Sequence, residues 1–88
     1  MISKPGDRGW KTWVVQKICL IYGFSPGVLD GRHGLKTTSA VKLLQEKINS
    51  RPYGSFSYED LFMMMRGDPW ERALAEDFIK LLILEGGG

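Results

Sequence analysis

The sequence predicts an all-α fold, a small bundle of three to four helices with a glycine-rich Asp-Gly loop between the first two helices. Apolar residues recur at helical spacing in separate segments, and glycine or proline divides each segment from the next. The alternation of apolar and polar residues that marks strands is nearly absent. The 88 residues, of which 43% are hydrophobic, fit one small core, so we expect residues 1–88 to form a single domain.

The first helix is predicted over residues 10–22, and Gly23 ends it. Two apolar stripes at helical spacing predict that this helix is covered on more than one side. The stripes consist of Trp10, Trp13, Val14, Ile18 and Ile21, and of Val15, Cys19 and Tyr22.

The second helix is predicted to begin near Thr37 or Thr38, either of which can cap the free amides of a first turn, and to reach Asn49. Its apolar residues share one side of the helix, which we expect to face the core. They are Ala40, Val41, Leu44 and Ile48.

A short third helix is predicted after Pro52 and Gly54, with Ser57 as its cap and Asp60 in the capping-box position. Its apolar residues are expected to pack inward, and Gly67 ends the helix. These residues are Leu61, Phe62, Met64 and Met65.

The fourth helix is predicted over residues 69–85. Asp68 is the expected cap, Pro69 occupies the first helical position, and Glu71 closes the capping box. Residues 78–84 are apolar on nearly all sides, which predicts a central core segment, with a partner interface as the alternative. The triple glycine at the end of the chain is expected to stop the helix.

Charge is distributed unevenly along the chain, whose net charge is +2. Residues 1–52 carry nine basic and three acidic side chains, whereas residues 53–88 carry three basic and seven acidic ones. A basic first half favours an anionic partner. The alternative is that the two halves of the chain simply attract each other.

The residue inventory argues against metal chemistry and catalysis. Cys19 and His33 are the single residues of their types, which excludes an internal disulfide and a cysteine- or histidine-based metal cluster. We expect no cofactor. No nucleophile–base pair is recognisable, and adjacent helical carboxylates such as Glu76 and Asp77 point apart. The sequence therefore predicts a protein that is not an enzyme.

Residues 30–45 contain the densest set of structural signals. Asp30 and Gly31 favour a tight turn, because the aspartate can bond backbone amides and the glycine tolerates positive φ. Gly34 permits a second bend, Thr37 supplies a cap, and Gln45 can bond backbone groups across the bundle. We expect structural roles for all of them.

This segment resembles the helical peptidoglycan-binding domain found beside many cell-wall hydrolases. The family pattern is Asp-Gly, two residues, Gly, two residues, Thr, two residues, Ala-Val, three residues and Gln, and residues 30–45 match every position. The match continues upstream at Gly9, at residues 15–16, 19 and 23–24, and at Gly27. The resemblance covers about residues 6–49, and His33 stands where the family usually has an aromatic residue. We expect a family-like core over residues 6–66 and an additional helix over residues 69–85.

The resemblance implies non-catalytic binding of bacterial peptidoglycan by a phage-type or lysin-associated wall-targeting module, at most an accessory to a cell-wall hydrolase. Peptidoglycan offers sugar faces for aromatic stacking and stem-peptide carboxylates for basic side chains. Candidate binding residues of suitable type are Arg32, His33, Lys36, Trp10 and Tyr22.

Two other functions are considered. In the first, a virion or adaptor protein reuses the fold and contacts a hydrolase or a virion protein through the apolar residues 70–84. In the second, residues 31–34 form a Gly-x-x-Gly clamp for a nucleic acid. The lack of a predicted sheet argues against the second function.

The first nine residues lack the apolar segment of a secretion signal. The longest apolar run nearby, residues 18–24, is much shorter than the ~20 residues that a membrane span needs. We therefore expect synthesis in the cytoplasm without a signal peptide, no membrane partner, and action at the bacterial cell wall or in a virion.

Overall fold

The computed structural model describes residues 1–86 as four helices joined by loops. The helices are α1 (Trp10–Ile21), α2 (Leu35–Lys47), α3 (Tyr58–Met65) and α4 (Pro69–Gly86). Over residues 1–86, extended pairing is limited to two isolated antiparallel bridges. The all-α prediction is confirmed. The last two residues of the triple glycine, on which the predicted helix stop depends, lie outside the described part of the chain.

Capping residues start α3 and α4 where the sequence predicts. The Ser57 amide donates to Asp60 Oδ2 at 2.8 Å, which is the reciprocal bond of a capping box. The Asp68 amide donates in the same way to Glu71 Oε1 at 3.0 Å. Each bond satisfies a free amide at the start of a helix and fixes the direction in which the helix leaves its loop.

The start of α2 differs from the prediction. The helix begins at Leu35, and its N-cap is Gly34 in an extended conformation without a side-chain cap bond. Thr37 therefore lies within the first turn and Thr38 follows it, so neither is the N-cap. The reason is that the Thr37 hydroxyl donates to the carbonyl of Pro26, at 3.0 Å, in the preceding loop.

All four helices contribute to one hydrophobic core, together with Ile2 of the N-terminal segment and the loop residue Phe56. The predicted inward side of the second helix is confirmed, because Ala40, Val41, Leu44 and Ile48 are all buried. The other core residues are Val15, Ile18 and Cys19 from α1, Ala40, Val41 and Leu44 from α2 with Ile48 at its C-cap, Leu61 and Met64 from α3, and Ala75, Phe78 and Leu82 from α4.

Some residues predicted to be covered are exposed. Trp10, Trp13 and Ile21 of α1 are 38%, 42% and 48% exposed, and Phe62 of α3 is 61% exposed. The prediction that α1 is covered on more than one side holds in part, because α1 packs against both α2 and α4. A domain of this size buries only ~60% of its unfolded surface, and the remaining side of α1, with Trp13 and Ile21, faces solvent.

The helices α1 and α4 run antiparallel and are joined by aromatic contacts at both ends. Trp10 meets Phe78 edge to face, with ring centroids 6.4 Å apart, and Tyr22 packs on Trp70 at 4.9 Å. The Tyr22 hydroxyl also donates to Glu71 Oε2 at 2.6 Å. Because α4 supplies core residues and these contacts, it is an integral part of the bundle.

Two buried glutamines hold the two long loops in the same manner. Gln16 Oε1 accepts the Gly31 amide at 2.9 Å, and its Nε2 donates to the Arg32 carbonyl at 3.0 Å. Gln45 Oε1 accepts the Gly54 amide at 3.0 Å, and its Nε2 donates to the Ser55 carbonyl at 2.8 Å. The predicted role of Gln45 is confirmed, and Gln16 repeats it one helix earlier.

No helix within residues 1–86 is both long enough and apolar enough to cross a bilayer.

Candidate functional site

The Asp-Gly turn is fixed by hydrogen bonds and by close backbone contact. Asp30 Oδ1 accepts the Arg32 amide at 2.9 Å and a bond from Gln16 at 3.2 Å, and these bonds hold the pKa of Asp30 below its usual value. Gly31 has a φ of +73°, and a Cβ there would lie 3.0 Å from the Gly9 carbonyl oxygen. The structural roles predicted for Asp30 and Gly31 are confirmed.

Gly34 differs from Gly31 in its conformational requirement. Its φ is −93° and its ψ is −166°, which most residues adopt, and a Cβ there would meet no atom within 4 Å. The bend expected at Gly34 therefore does not require glycine for its conformation or for space. Gly34 matters as an uncapped N-cap that leaves the first turn of α2 open to solvent.

A shallow groove of about 420 Å³ lies between this loop and the first turn of α2. Val28 and Leu35 line it and are 76% and 89% exposed. The exposed side chains of Arg32 and Lys36 line the same groove. Two of the predicted binding residues are thus brought together beside apolar surface.

Gly27 shapes this groove by leaving room for the aliphatic part of a lysine. Its φ is +85°, and a Cβ there would lie 3.1 Å from Lys36 Cδ. The stem of Lys36 can therefore lie against the loop backbone while its ammonium group stays in solvent. The loop backbone and α2 therefore both determine where the Lys36 ammonium group lies.

A second arginine joins this surface from the N-terminal segment. Arg8 pairs with Arg32 in an isolated antiparallel bridge. Lys11, in the first turn of α1, follows three residues later, and both Arg8 and Lys11 line a neighbouring depression of about 390 Å³. Arg8 was not among the sequence-predicted candidates. It directly precedes Gly9 of the family-like pattern, but its pairing with Arg32 depends on the tertiary fold.

His33 is not available to a ligand, so its predicted binding role is corrected. It is 3% exposed, and both of its ring nitrogens have partners. Nε2 lies 3.0 Å from the Gly54 carbonyl oxygen, which requires Nε2 to donate, and Nδ1 then accepts from Ser3 Oγ at 2.7 Å. Burial lowers the pKa of His33, which keeps the ring neutral.

Ser3 and His33 form a hydroxyl–imidazole pair that sequence reasoning did not find. Ser3 is fully buried and also bonds Thr12 Oγ1 at 2.8 Å, so the pair belongs to an internal hydrogen-bonded chain. A substrate has no access to Ser3 Oγ in this structure. Over residues 1–86, no group of three or more potential metal-binding side chains is found.

Trp10 and Tyr22 lie at opposite ends of α1 and do not share one site. Their Cα atoms are separated by about 18 Å, from a rise of ~1.5 Å per residue. Trp10 is 38% exposed and lines the same depression as Arg8, with Lys11 Nζ 6.0 Å from its ring centroid. Tyr22 is half-buried against α4, where it packs on Trp70 and bonds Glu71, so it does not share a site with Arg32.

The Gly-x-x-Gly segment does not offer free amides to a phosphate. The Gly31 and Arg32 amides donate to side chains of Gln16 and Asp30, at 2.9 Å each. The amides of residues 33 and 34 donate to backbone carbonyls at 2.9 and 3.0 Å. A phosphate clamp requires unoccupied donors, so this geometry argues against the nucleic-acid function.

A search against models of protein families, a search of curated proteins and a search of solved structures each find no match to this chain. The groove and the basic side chains around it are therefore the features that carry a functional argument.

Proposed function

We propose that this protein binds bacterial cell-wall peptidoglycan without catalysing a reaction, as a phage-type or lysin-associated wall-targeting module. The observation that carries the proposal is the groove beside α2, where exposed Val28 and Leu35 lie next to the cations of Arg32 and Lys36. The resemblance of residues 6–49 to the peptidoglycan-binding family also supports it. The proposal places the protein's action at the cell wall or in a virion.

The groove suits the chemistry of a peptidoglycan stem peptide. Stem peptides present carboxylates separated by short alkyl groups, and the groove presents cations beside apolar side chains. Arginine binds a carboxylate through two parallel hydrogen bonds, while lysine acts as a point charge. Trp10, on the neighbouring depression, offers a partly exposed indole to a sugar.

Co-sedimentation with purified sacculi tests the proposal at low salt and at ~0.5 M salt, where the Debye length is roughly 4 Å. We expect the protein to be retained in both, and Arg32→Ala and Lys36→Ala each to weaken retention. Lys80→Ala removes the same charge from an exposed position on α4 and should have no effect. If sacculi from Gram-negative cells and sacculi from Gram-positive cells both fail to retain the protein, wall binding is contradicted.

A second candidate function is assembly with a hydrolase or a virion protein through residues 70–84. The observation that favours it is the exposed apolar end of α4, where Leu81, Ile83 and Leu84 are 41%, 66% and 76% exposed. If this surface mediates assembly, Leu84→Asp abolishes a complex that Leu43→Asp, at an exposed leucine of α2, leaves intact, as light scattering over a concentration series can show. A monomer at every concentration and no pull-down of either partner class would contradict it.

A further inference from the structure

Arg8 and Arg32 are closer than their separation in sequence suggests. They lie directly opposite each other in an antiparallel bridge, and a 2.9 Å hydrogen bond from the Gly9 amide to the Gly31 carbonyl flanks the pair. A second hydrogen bond, from the His33 amide to the Asp7 carbonyl at 2.9 Å, flanks the pair on the other side. Because these bonds flank the pair rather than join it, the pair is of the closely spaced type, with Cβ atoms about 4.5–5.5 Å apart.

Both arginine side chains point to the same side of the bridge, toward solvent. Successive residues of extended backbone alternate between opposite sides. His33, which follows Arg32, is buried, whereas Arg8 and Arg32 are exposed. The two guanidinium groups therefore emerge next to each other on the protein surface.

The nearby carboxylates are held in local turns. Asp7 Oδ2 accepts the Lys4 amide at 3.0 Å, and Asp30 Oδ1 accepts the Arg32 amide at 2.9 Å. Like charges directly opposite each other across a bridge are destabilising, so this pairing has a cost for folding. An anion that bonds both guanidinium groups would remove that repulsion.

We propose that Arg8 and Arg32 together form a carboxylate-binding site for the stem peptides of peptidoglycan, which makes wall binding depend on free rather than amidated carboxylates. This inference rests on the proposed function and extends it to a residue and a chemical group. A carboxylate accepts paired hydrogen bonds from a guanidinium fork, whereas a carboxamide is uncharged and turns N–H donors toward arginine.

The first turns of α1 and α2 add to the attraction for an anion. Neither helix has an acidic residue in its first turn or a side-chain cap bond. Their N-caps, Gly9 and Gly34, follow Arg8 and Arg32 by one and two residues. Both helix dipoles therefore present their positive ends beside the arginine pair, with Lys11 and Lys36 in these same turns.

The test compares binding of the full chain to two preparations of the same sacculi, both free of phosphate-containing polymers. In one preparation, carbodiimide and methylamine have converted the stem carboxylates to methylamides. We expect the protein to bind the untreated sacculi at least tenfold more tightly. Equal binding to both preparations would overturn the carboxylate site while leaving wall binding established.

Variants distinguish a shared site from general electrostatic attraction. Arg8→Gln and Arg32→Gln should each weaken binding to untreated sacculi about tenfold, as expected for a lost charge-assisted hydrogen bond. If both arginines hold one anion, the affinity of the double variant for untreated sacculi falls by much less than a hundredfold, which is the product of the two single effects. The control Arg72→Gln/Lys80→Gln removes two exposed charges of α4 and should bind normally. Equal losses in the control and in the double variant would overturn the proposal.

The thermal transition provides a readout that does not depend on a ligand. Because the two arginines repel each other, Arg8→Gln should leave Tm unchanged or raise it while binding falls. A lower Tm together with weaker binding would indicate a structural role and overturn the proposal.

A last arm covers the failure of wall binding itself. If the protein binds neither sacculus preparation, the proposed function falls, and beads bearing poly-glutamate then test the pair alone. Capture at ~0.15 M salt that Arg8→Gln and Arg32→Gln abolish, and that the α4 control retains, would support a carboxylate site with another source of ligand. No capture would overturn it.

Discussion

His33 shows how burial changes the meaning of a residue that looks functional in the sequence. It lies in a glycine-rich loop among basic residues, where a histidine suggests ligand contact. In the structure His33 links the N-terminal segment to the loop between α2 and α3, because its ring bonds Ser3 and the Gly54 carbonyl. The segment that covers it begins more than two dozen residues earlier, so no local pattern could have revealed the burial.

The buried ring predicts a pH dependence of stability. Burial lowers the pKa of His33 below 6.5, although the hydrogen bond to the Gly54 carbonyl and the charge of Asp7 partly oppose the shift. The unfolded chain therefore binds more protons than the native protein between the two pKa values, and the free energy of unfolding decreases as pH falls below about 6.5. Urea unfolding at pH values from about 7 to 5 measures this slope.

The control for this prediction is His33→Gln. The glutamine amide can still donate to the Gly54 carbonyl and accept from Ser3, but it does not titrate in this range. We expect the variant to show a flatter profile between about pH 6.5 and pH 5. The same slope in both proteins would assign the pH dependence to the carboxylates and contradict the role given to His33.

Gly34, a single residue, determines how the helix α2 begins. The N-cap of α2 has extended backbone and open space around it, so a side chain is tolerated there. Placing a capping residue at this position is expected to stabilise the helix. The natural glycine leaves the positive end of the helix unshielded beside Arg32 and Lys36.

Gly34→Asp and Gly34→Asn separate the effects of capping and charge at the start of α2. Both side chains can accept a bond from a first-turn amide, which should raise the free energy of unfolding by a few tenths of a kcal/mol relative to glycine. Aspartate should add about 0.3–1 kcal/mol through the helix dipole. Denaturant unfolding of the three proteins checks both values.

Binding should respond in the opposite direction. Aspartate places a negative charge beside Arg32, so we expect Gly34→Asp to weaken retention on sacculi and Gly34→Asn to leave it nearly unchanged. Equal retention of all three proteins would show that the ligand does not approach the start of α2.

At the scale of helices, the sequence predicts well which segments are helical. It predicts less well where a helix begins when the expected capping hydroxyl can bond another group instead. Ser57 and Asp60 form the expected capping box although Gln45 and Ser50 also donate to Asp60, because a carboxylate can accept several hydrogen bonds at once. Thr37 has the correct residue type for a cap, yet its hydroxyl bonds Pro26 in the preceding loop, and the helix starts at Leu35. Which bond the hydroxyl makes depends on how the loop folds back.

For the candidate site, the sequence predicts the loop but only part of the basic surface around it. Asp30 and Gly31 follow from turn chemistry, and Arg32 and Lys36 follow from their place in the loop and helix. Arg8 joins them through a backbone bridge between distant segments, and Tyr22 leaves them because it packs on α4. Both outcomes depend on contacts that periodicity and spacing do not encode.

At the scale of the whole molecule, the additional helix α4 shares one core with the family-like residues 6–66. Phe78 is 1% exposed and contacts both Trp10 and Phe56, while Ala75 is fully buried. Removing α4 would uncover these partners at once. We therefore expect the integrity of the loop that contains Asp30 and Gly31 to depend on a helix that lies outside the resemblance.

Truncation after Gly67 tests this dependence. Loss of one buried phenylalanine side chain costs about 3–5 kcal/mol, which approaches the total stability of a small domain, at ~5–15 kcal/mol. We expect residues 1–67 to lack a dispersed amide NMR spectrum. The matched control ends at residue 82, removing the exposed Ile83 and Leu84 while keeping buried Leu82, and should stay folded with a lower Tm. A dispersed spectrum from residues 1–67 would show that the family-like segment folds alone and that α4 is an attachment, available for a partner.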